Sequence, residues 1–431
     1  MNDATAPERS SRMGRIIGLF AFAFFAGAAG TYLVRQGAPR VKPEPPANAA
    51  VTPTPAAPSL SYTPPPNRSP GMQAFDKALL YLIAQQEPDG HWSARKTRAA
   101  EDFCNENGDV TLTAIGAYAL MSAMVGGNDE RTDLVEGSRR ALKWLKGKVR
   151  DDGAVSDPEG PGHPVAAQLF AGLAFHQAAT TSPRDEWKSL LRLTSQYAMQ
   201  KMMAKSGGFG VRAGEEHARM DMTALGGFLY ILTLQSGIRF SEGEDLQTLG
   251  VEIRIEKDLQ RAVRAMRVAP EKKDGVFRMS TSGGDADFEA TLVALLGQLM
   301  SNIPPQEYAP GVTFLIGKPS NGEFPGPGEK LRWGDSGEGY RALSLWLGTL
   351  AFWLHGETTQ EYKAWRKAVE SAVLPHQLPD GSWPAAGADA TYGRMWRTTF
   401  TGFSLLMLNP TPPPAGAPGA TGQTGAAAPP K

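Results

Sequence analysis

One short turn recurs six times along the chain and constrains its fold more than any other feature. In each copy Gly follows Asp, Asn or another Gly, and an apolar residue comes one or two positions later. Gly supplies the positive φ that ends a helix, and the apolar residue then returns to the core. A unit repeated in this way predicts a repeat architecture. The copies are DGHW at 89–92, DGAV at 152–155, GGFG at 207–210, DGVF at 274–277, NGEF at 321–324 and DGSW at 380–383.

Each turn lies between two segments with different hydrophobic patterns. The preceding segment is amphipathic, and in the first copy Phe75, Leu79 and Leu82 share one helical face. Only the segment before Asn321 is weak, because three prolines interrupt it. The following segment is apolar nearly all round, and such a helix must be covered on every side. Two concentric rings satisfy both patterns, so we predict an all-α fold, an (α/α)6 toroid of about six helix pairs.

The chain outside the repeats divides into four segments. Residues 16–34 are uncharged and mostly apolar, which is the length and character of a transmembrane helix. A cleaved signal peptide is the alternative, and both interpretations place the remainder of the chain outside the cytoplasm. Residues 1–15 then form a short cytoplasmic N-terminus, and residues 35–70 form a Pro/Ala-rich linker. We expect a toroid domain over 71–409 and a disordered Pro/Gly/Ala tail over 410–431.

The charge balance disfavours a nucleic-acid-binding protein, and the cysteine content excludes a disulfide-stabilised scaffold. Lys plus Arg and Asp plus Glu are equal at 44 each, which disfavours nucleic acid as a partner because that role requires a concentrated basic face. Cys104 is the single cysteine, so the chain cannot form an internal disulfide.

The start of each inner helix is where function is expected. In a toroid these helix N-termini crowd around one mouth of the barrel, and their free N–H groups favour acidic and polar side chains. Helix capping explains the aspartates equally well, because Asp is a preferred N-cap residue. The predicted rim residues are Asp109, His163, Asp221, Asp287, Tyr340 and Trp396.

The turns QQEPDGHW and HQLPDGSW carry a resemblance to a known superfamily. They resemble the repeat of the terpenoid cyclase and protein prenyltransferase toroids, which include squalene–hopene cyclases and prenyltransferase β-subunits. The resemblance covers about 71–409 and implies an α/α toroid. It specifies the fold far more than the activity.

Two candidate sites follow from this resemblance. Class II terpene cyclases carry Asp-x-Asp-Asp at the start of an inner helix, which maps Asp285 and Asp287 onto catalytic positions and makes Asp287 the acid. Phe288 replaces the last aspartate of that motif. Prenyltransferase β-subunits bind zinc through an Asp-x-Cys pair and a histidine, which maps onto Asp102, Cys104 and His163.

Two hypotheses about function result. We favour a membrane-anchored, extracytoplasmic toroid of the bacterial cell envelope that is a non-catalytic binding module without a cofactor. Its ligand would be an unidentified protein, glycan or lipid. The alternative is a squalene/terpene cyclase-like or prenyltransferase-like enzyme, with zinc possible in the latter, acting on an isoprenoid in the central cavity. Whether the chain is an enzyme is left open.

Overall fold

The computed structural model describes residues 68–124, 131–240, 246–267, 275–282, 287–300, 305–321, 323–331, 341–385 and 387–409. In these ranges the chain is helical, and the only β-structure there consists of isolated bridges. None of the helices found there is long and apolar enough to cross a membrane. The predicted span at 16–34 and the predicted tail at 410–431 lie outside the described residues, so both stay predictions.

Twelve α-helices account for most of the described chain. The helices are α1 Pro70–Gln85, α2 Glu106–Ala123, α3 Thr132–Lys146, α4 Pro164–Thr181, α5 Asp185–Lys201, α6 Met220–Gln235, α7 Leu246–Met266, α8 Phe288–Met300, α9 Pro305–Ile316, α10 Ala342–His355, α11 Gln360–Val373 and α12 Gly393–Leu408. Two short 3₁₀ turns, Glu101–Phe103 and Gly387–Thr391, precede α2 and α12. The prediction of an all-α chain of helix pairs is confirmed.

The even-numbered helices form an inner ring and the odd-numbered helices surround it. Helix α2 is buried along nearly its whole length, whereas α3 buries only one face around Leu134, Ala141 and Leu145. Each inner helix contacts the next one in the chain, and α12 contacts α2. The inner ring is therefore closed. Helix α9 forms despite Pro310 in its interior, so the prolines weaken the sequence pattern without removing the helix.

In the first and last copies the repeated turn joins the two rings in the same way. Gly90 has a φ of 101° and Gly381 a φ of 85°, as the turn sequence predicts. A Cβ on Gly90 would lie 2.5 Å from the backbone carbon of Arg140, so the turn packs directly on the next outer helix, α3. Gly381 packs in the same way on Lys77 of α1. Glycine is thus required both by the dihedral angle and by the close approach.

The tryptophan of the first and last turns is a buried plug. Trp92 and Trp383 are both 0% exposed. Their indole N–H groups donate to Leu82 O and Val373 O at 2.8 Å, at the end of the preceding outer helix. Their backbone N–H groups donate to threonine hydroxyls of the following inner helix. Each plug therefore fastens an outer helix to its inner partner.

Aromatic side chains fill the centre of the inner ring. Trp346 of α10 lies 5.4 Å from Phe400 and 5.4 Å from Phe403 of α12, and 6.2 Å from Tyr118 of α2, measured between ring centroids. Phe170 of α4 lies 5.5 Å from Phe400. These five rings are at most 7% exposed. A cavity among them would leave the lining rings with accessible surface, so this part of the interior is a packed core.

Candidate functional site

The residues that precede the inner helices converge at one end of the barrel. Each inner helix begins there, because the six helices run parallel around the ring. The flanking N-cap residues are Asn105 before α2, His163 before α4, Arg219 before α6, Asp287 before α8, Arg341 before α10 and Tyr392 before α12. We call these six residues, with the side chains that contact them, the mouth.

Tyr392 and His163 form a pair on one side of the mouth. The Tyr392 hydroxyl lies 3.5 Å from His163 Nδ1, and both side chains are half-buried. The Tyr392 ring stacks on Trp396 with centroids 4.3 Å apart. Phe103, from the turn before α2, presents its edge to Tyr392 at 5.1 Å and to His163 at 5.9 Å. Three neighbours thus hold the tyrosine in one orientation while it keeps access to solvent.

Burial lowers the pKa of the histidine and raises that of the tyrosine, because it favours the neutral form of both side chains. Burial, assisted by the positive charge of Arg219, lowers the pKa of His163 below its usual range. Burial raises the pKa of Tyr392 to about 12. At neutral pH the imidazole is therefore neutral and the phenol is protonated.

Two arginines and an aspartate lie near this pair in the mouth. Arg219 donates from Nε and Nη2 to the two Asp221 oxygens at 3.1 and 2.7 Å. Arg341 Nη1 lies 4.0 Å from the same carboxylate. Burial would raise the pKa of Asp221, but the charge of Arg219 outweighs burial, and the pKa lies below its usual range. The arginine side chains are 31% and 34% exposed, so both are partly accessible to solvent.

Two more carboxyl groups bind the start of α10. Glu289 Oε1 accepts the Arg341 N–H at 2.6 Å, and Asp389 Oδ2 accepts the Ala342 N–H at 2.9 Å. Burial raises the pKa of Glu289 to about 7 and that of Asp389 to about 6, against the opposing effects of Arg341 and Arg397. These carboxyl groups satisfy the free N–H groups of the helix, which is why they are tolerated when buried.

The structure does not assemble the predicted zinc site. Asp102, Cys104 and His163 are all described, yet no three His, Cys, Asp or Glu side chains in the described ranges cluster as metal ligands. Cys104 Sγ is instead within 3.5 Å of the Ala99 carbonyl oxygen, and Asp102 is exposed. His163 pairs with Tyr392. The loop before α2 places the Cys104 thiol against Ala99, and zinc at these three residues stays a prediction.

Some of the predicted acid and rim residues lie in the mouth, some stabilise a helix start or a loop, and some are outside the described residues. Asp287 Oδ1 accepts the Ala290 N–H at 2.7 Å, so Asp287 caps α8, and Asp285 lies outside the described residues. Asp109 Oδ1 accepts the Ala94 N–H at 2.7 Å and stabilises the loop after the first turn. Asp221 and Trp396 do lie in the mouth, whereas Tyr340 is outside the described residues.

The sequence did not single out five residues that build the mouth. Arg219, Arg341 and Tyr392 are unusual at the N-cap position, where Ser, Thr, Asp and Asn are preferred. Glu289 and Asp389 gain their importance from burial against α10, which no local pattern reports. Their position in the sequence was the one available indication, because Arg219, Arg341 and Tyr392 each lie within four residues of a predicted inner-helix start.

Comparison with known proteins identifies the fold class. No family model and no curated protein sequence matches the chain. Among solved structures, an α-1,6-mannanase from Salegentibacter sp. aligns with a TM-score of 0.53 and 11% identity, over 79% of this chain and 99% of that one. A GH76 α-mannanase from Bacteroides thetaiotaomicron aligns with a TM-score of 0.53 and 8% identity, over 80% and 96%.

A type II terpene cyclase from Scytonema aligns less well, with a TM-score of 0.47 and 14% identity over 79% of this chain and 98% of that chain. At these identities the likeness concerns the fold alone. Together with the closed ring of helix pairs, the mannanase alignments define this chain as an α/α toroid. In this chain the mouth of the toroid is lined by a Tyr–His pair and two arginines.

Proposed function

We propose that this toroid binds a glycan at its mouth. The observation that carries the proposal is the mouth itself, where partly exposed hydrogen-bonding groups lie beside an aromatic ring. Arg219, Arg341, His163 and Tyr392 offer donors and acceptors, and the Tyr392 ring is held rigid by Trp396. A sugar ring presents hydroxyl groups on its edge and an apolar face, so it can use both kinds of surface.

The packed interior disfavours the isoprenoid alternative. A prenyl chain would need an apolar cavity along the barrel axis, but Tyr118, Phe170, Trp346, Phe400 and Phe403 occupy that region and are at most 7% exposed. Asp287, the candidate acid for cyclase chemistry, is engaged as a helix cap.

The structural neighbours support a glycan as the ligand class. The Salegentibacter mannanase was solved with α-1,6-mannotriose, and a second structure of it holds α-1,6-mannotetrose. Their hydrolytic chemistry is not carried over here. The mannotriose complex was obtained with a variant inactivated at two consecutive aspartates. The only consecutive aspartates of this chain, Asp151 and Asp152, are exposed in the second turn.

The binding proposal is tested with the full chain purified in a mild detergent. Titration calorimetry against mannotriose, an oligogalacturonate, a chitooligosaccharide and farnesyl diphosphate should give binding to at least one glycan and none to the diphosphate. Tyr392→Ala should weaken glycan binding about tenfold or more, because aromatic anchors dominate such contacts. Tyr197→Ala, on the outer helix α5, is the matched control and should leave affinity unchanged. Binding of the diphosphate alone would overturn the proposal.

We also propose that residues 16–34 anchor the toroid in a membrane, with the bulk of the chain extracytoplasmic. The support is the uncharged apolar run and the Pro-rich linker that follows it. Expressed in bacteria, the full chain should remain in the membrane fraction after carbonate extraction. Deletion of 16–34 should release it. A mature N-terminus that begins within or after the run would instead identify a cleaved signal peptide.

A further inference from the structure

The mouth contains the groups needed for proton transfer next to an anion. His163 and Tyr392 lie 3.5 Å apart, and Arg219 is close enough to His163 to alter its protonation. Arg341 is held beside Arg219 because both contact Asp221. A neutral imidazole, a protonated phenol and two partly exposed guanidinium groups therefore share one surface. Plain sugar binding does not require a base beside an acid.

We propose that the mouth cleaves uronate-containing glycans by β-elimination, with His163 as the base, Tyr392 as the acid, and Arg219 and Arg341 binding the uronate carboxylate. This inference rests on the proposed glycan-binding function and names the substrate class and reaction of the same site. The carboxylate is the feature that distinguishes such a substrate from the neutral mannosides of the structural neighbours.

The chemistry balances without any further reactant. The arginines neutralise the carboxylate, which makes the hydrogen on the adjacent C5 more acidic. His163 Nε2 takes that proton, the C5–H electron pair becomes the C4=C5 double bond, and the C4–O glycosidic bond breaks. The leaving oxygen takes the Tyr392 hydroxyl proton. The products are a shortened glycan and an unsaturated uronate end, and neither water nor an oxidant is consumed.

The contact between the two residues restores the starting state. With Nε2 as the accepting nitrogen, the Nδ1 proton of His163 faces the Tyr392 oxygen. After cleavage the histidine carries two protons and the tyrosine none, so transfer of the Nδ1 proton across this contact regenerates the phenol. Exchange with solvent then returns the imidazole to its original tautomer.

Protonation and charge at the site support these roles. A base must be neutral and an acid protonated at the working pH, which the lowered pKa of His163 and the raised pKa of Tyr392 provide. The ionisable groups that face His163 are Arg219, Asp221, Asp102, Arg212 and Tyr392. The positive charge among them disfavours imidazolium, and it also attracts an anionic substrate.

Hydrolysis by a carboxylate pair is less well supported by the same geometry. That reaction needs two carboxyl groups flanking the scissile bond. Asp221 is engaged by Arg219 through both oxygens, and Asp389 is 1% exposed. Glu289 keeps partial exposure, at 17% of its side chain, but its partly exposed neighbour Asp287 is engaged as the cap of α8.

The test uses the full chain in detergent with polygalacturonate, alginate and hyaluronate, and with α-1,6-mannan as the neutral control. Elimination is read from the ultraviolet absorbance of the new double bond conjugated to the carboxylate, and binding is measured separately on oligosaccharides of each polymer. We expect absorbance to rise with at least one uronate polymer and not with mannan.

Variants distinguish the proposed roles from structural effects. Tyr392→Phe retains the ring that packs on Trp396 and Phe103, so it should reduce kcat by about 10²-fold to 10⁴-fold while binding changes little. His163→Gln should behave alike. Arg341→Gln should raise KM, with partial recovery in Arg341→Lys. Tyr197→Phe and His91→Gln make the same chemical changes away from the mouth and should leave activity unchanged.

The outcomes separate the two proposals. Glycan binding without any unsaturated product would overturn β-elimination and leave the binding function standing. No glycan binding would overturn both. Product formation that survives in Tyr392→Phe and His163→Gln would overturn the assigned roles. An activity that rises with pH through a value below the usual histidine range, and loses that limb in His163→Gln, would support the base.

Discussion

Arg341 links most of the charged groups at the mouth. Its side chain lies 4.0 Å from Asp221 and 3.6 Å from Glu289, and its backbone N–H donates to Glu289. The neighbouring N–H of Ala342 donates to Asp389. One helix start therefore holds three carboxyl groups near one guanidinium. Glu289 retains a raised pKa because burial outweighs this compensation.

The raised pKa of Glu289 predicts how stability depends on pH. Its folded-state pKa of about 7 exceeds the usual 4.5, so the folded chain favours the protonated form. The stability gained from that proton is complete below about pH 4.5 and is lost as the pH rises through about 7. Asp389 acts in the same direction. Each of these two carboxyl groups should therefore lower the melting temperature between about pH 5 and pH 8, an effect measured by calorimetry as the difference from its amide variant.

Glu289→Gln should remove part of this pH dependence. The amide stays neutral, and its oxygen can still accept the Arg341 N–H. We expect a gain on the order of 2 kcal/mol at about pH 8 and little change at about pH 4. Glu307→Gln, on an exposed position of α9, is the matched control. An unchanged slope of melting temperature against pH in Glu289→Gln would contradict the assignment.

Among the elements, the turn between an outer and an inner helix is the unit that builds the ring. It places a glycine with a positive φ after the end of the outer helix, fastens the plug residue to both helices and packs on the next outer helix. Gly90 illustrates all three, through its φ of 101°, the following Trp92 and the contact with Arg140. The same turn therefore determines both the pairing of helices and the spacing of pairs.

Comparing Gly90→Ala with Gly237→Ala separates the cost of the close approach from the cost of the positive φ. An alanine there would meet the Arg140 backbone as well as adopt a positive φ, so we expect a loss of about 3 kcal/mol. Gly237 also has a positive φ, 72°, but a Cβ at this position would meet no other group within 4 Å. Gly237→Ala should cost about 1 kcal/mol. Urea denaturation measures both, and equal losses would refute the packing role of Gly90.

Across the whole molecule, the ring is closed by residues at the two ends of the folded chain. Asn409 Oδ1 accepts hydrogen bonds from Ser69 at 2.9 Å and from Arg366 at 2.7 Å, and its amide donates to Glu370 at 3.0 Å. This contact lies at the C-terminal end of α12, opposite the mouth. A chain attached through its N-terminal linker would therefore leave the mouth unobstructed.

Asn409→Ala should weaken the closed ring. It removes a buried side chain that bonds to the start of α1 and to α11, so we expect a loss of about 2 kcal/mol in the free energy of unfolding. Thermal denaturation followed by circular dichroism measures the effect. Lys367→Ala changes an exposed neighbour on α11 and should be neutral. If both variants melt like the parent chain, the closure contact contributes nothing to stability.

The helix pairs could be predicted from the sequence because their causes are local. The turn with Asp89, Gly90 and Trp92 marks the connection between two helices, although α1 already ends at Gln85, and hydrophobic periodicity separates outer from inner helices. Even the start of α4 is predicted to within one residue, at His163 instead of Pro164. The weak fifth pair shows where local rules fail, since α9 forms around a proline that those rules disfavour.

The mouth was decided by the tertiary structure. His163 and Tyr392 are 229 residues apart in the chain, and Arg341 and Glu289 are 52 apart, so no local pattern relates them. The sequence determined a ring of helices and the end at which function is expected. Only ring closure brought these side chains together, and only burial in that place set the protonation of Glu289, His163 and Tyr392, because desolvation depends on neighbours distant in sequence.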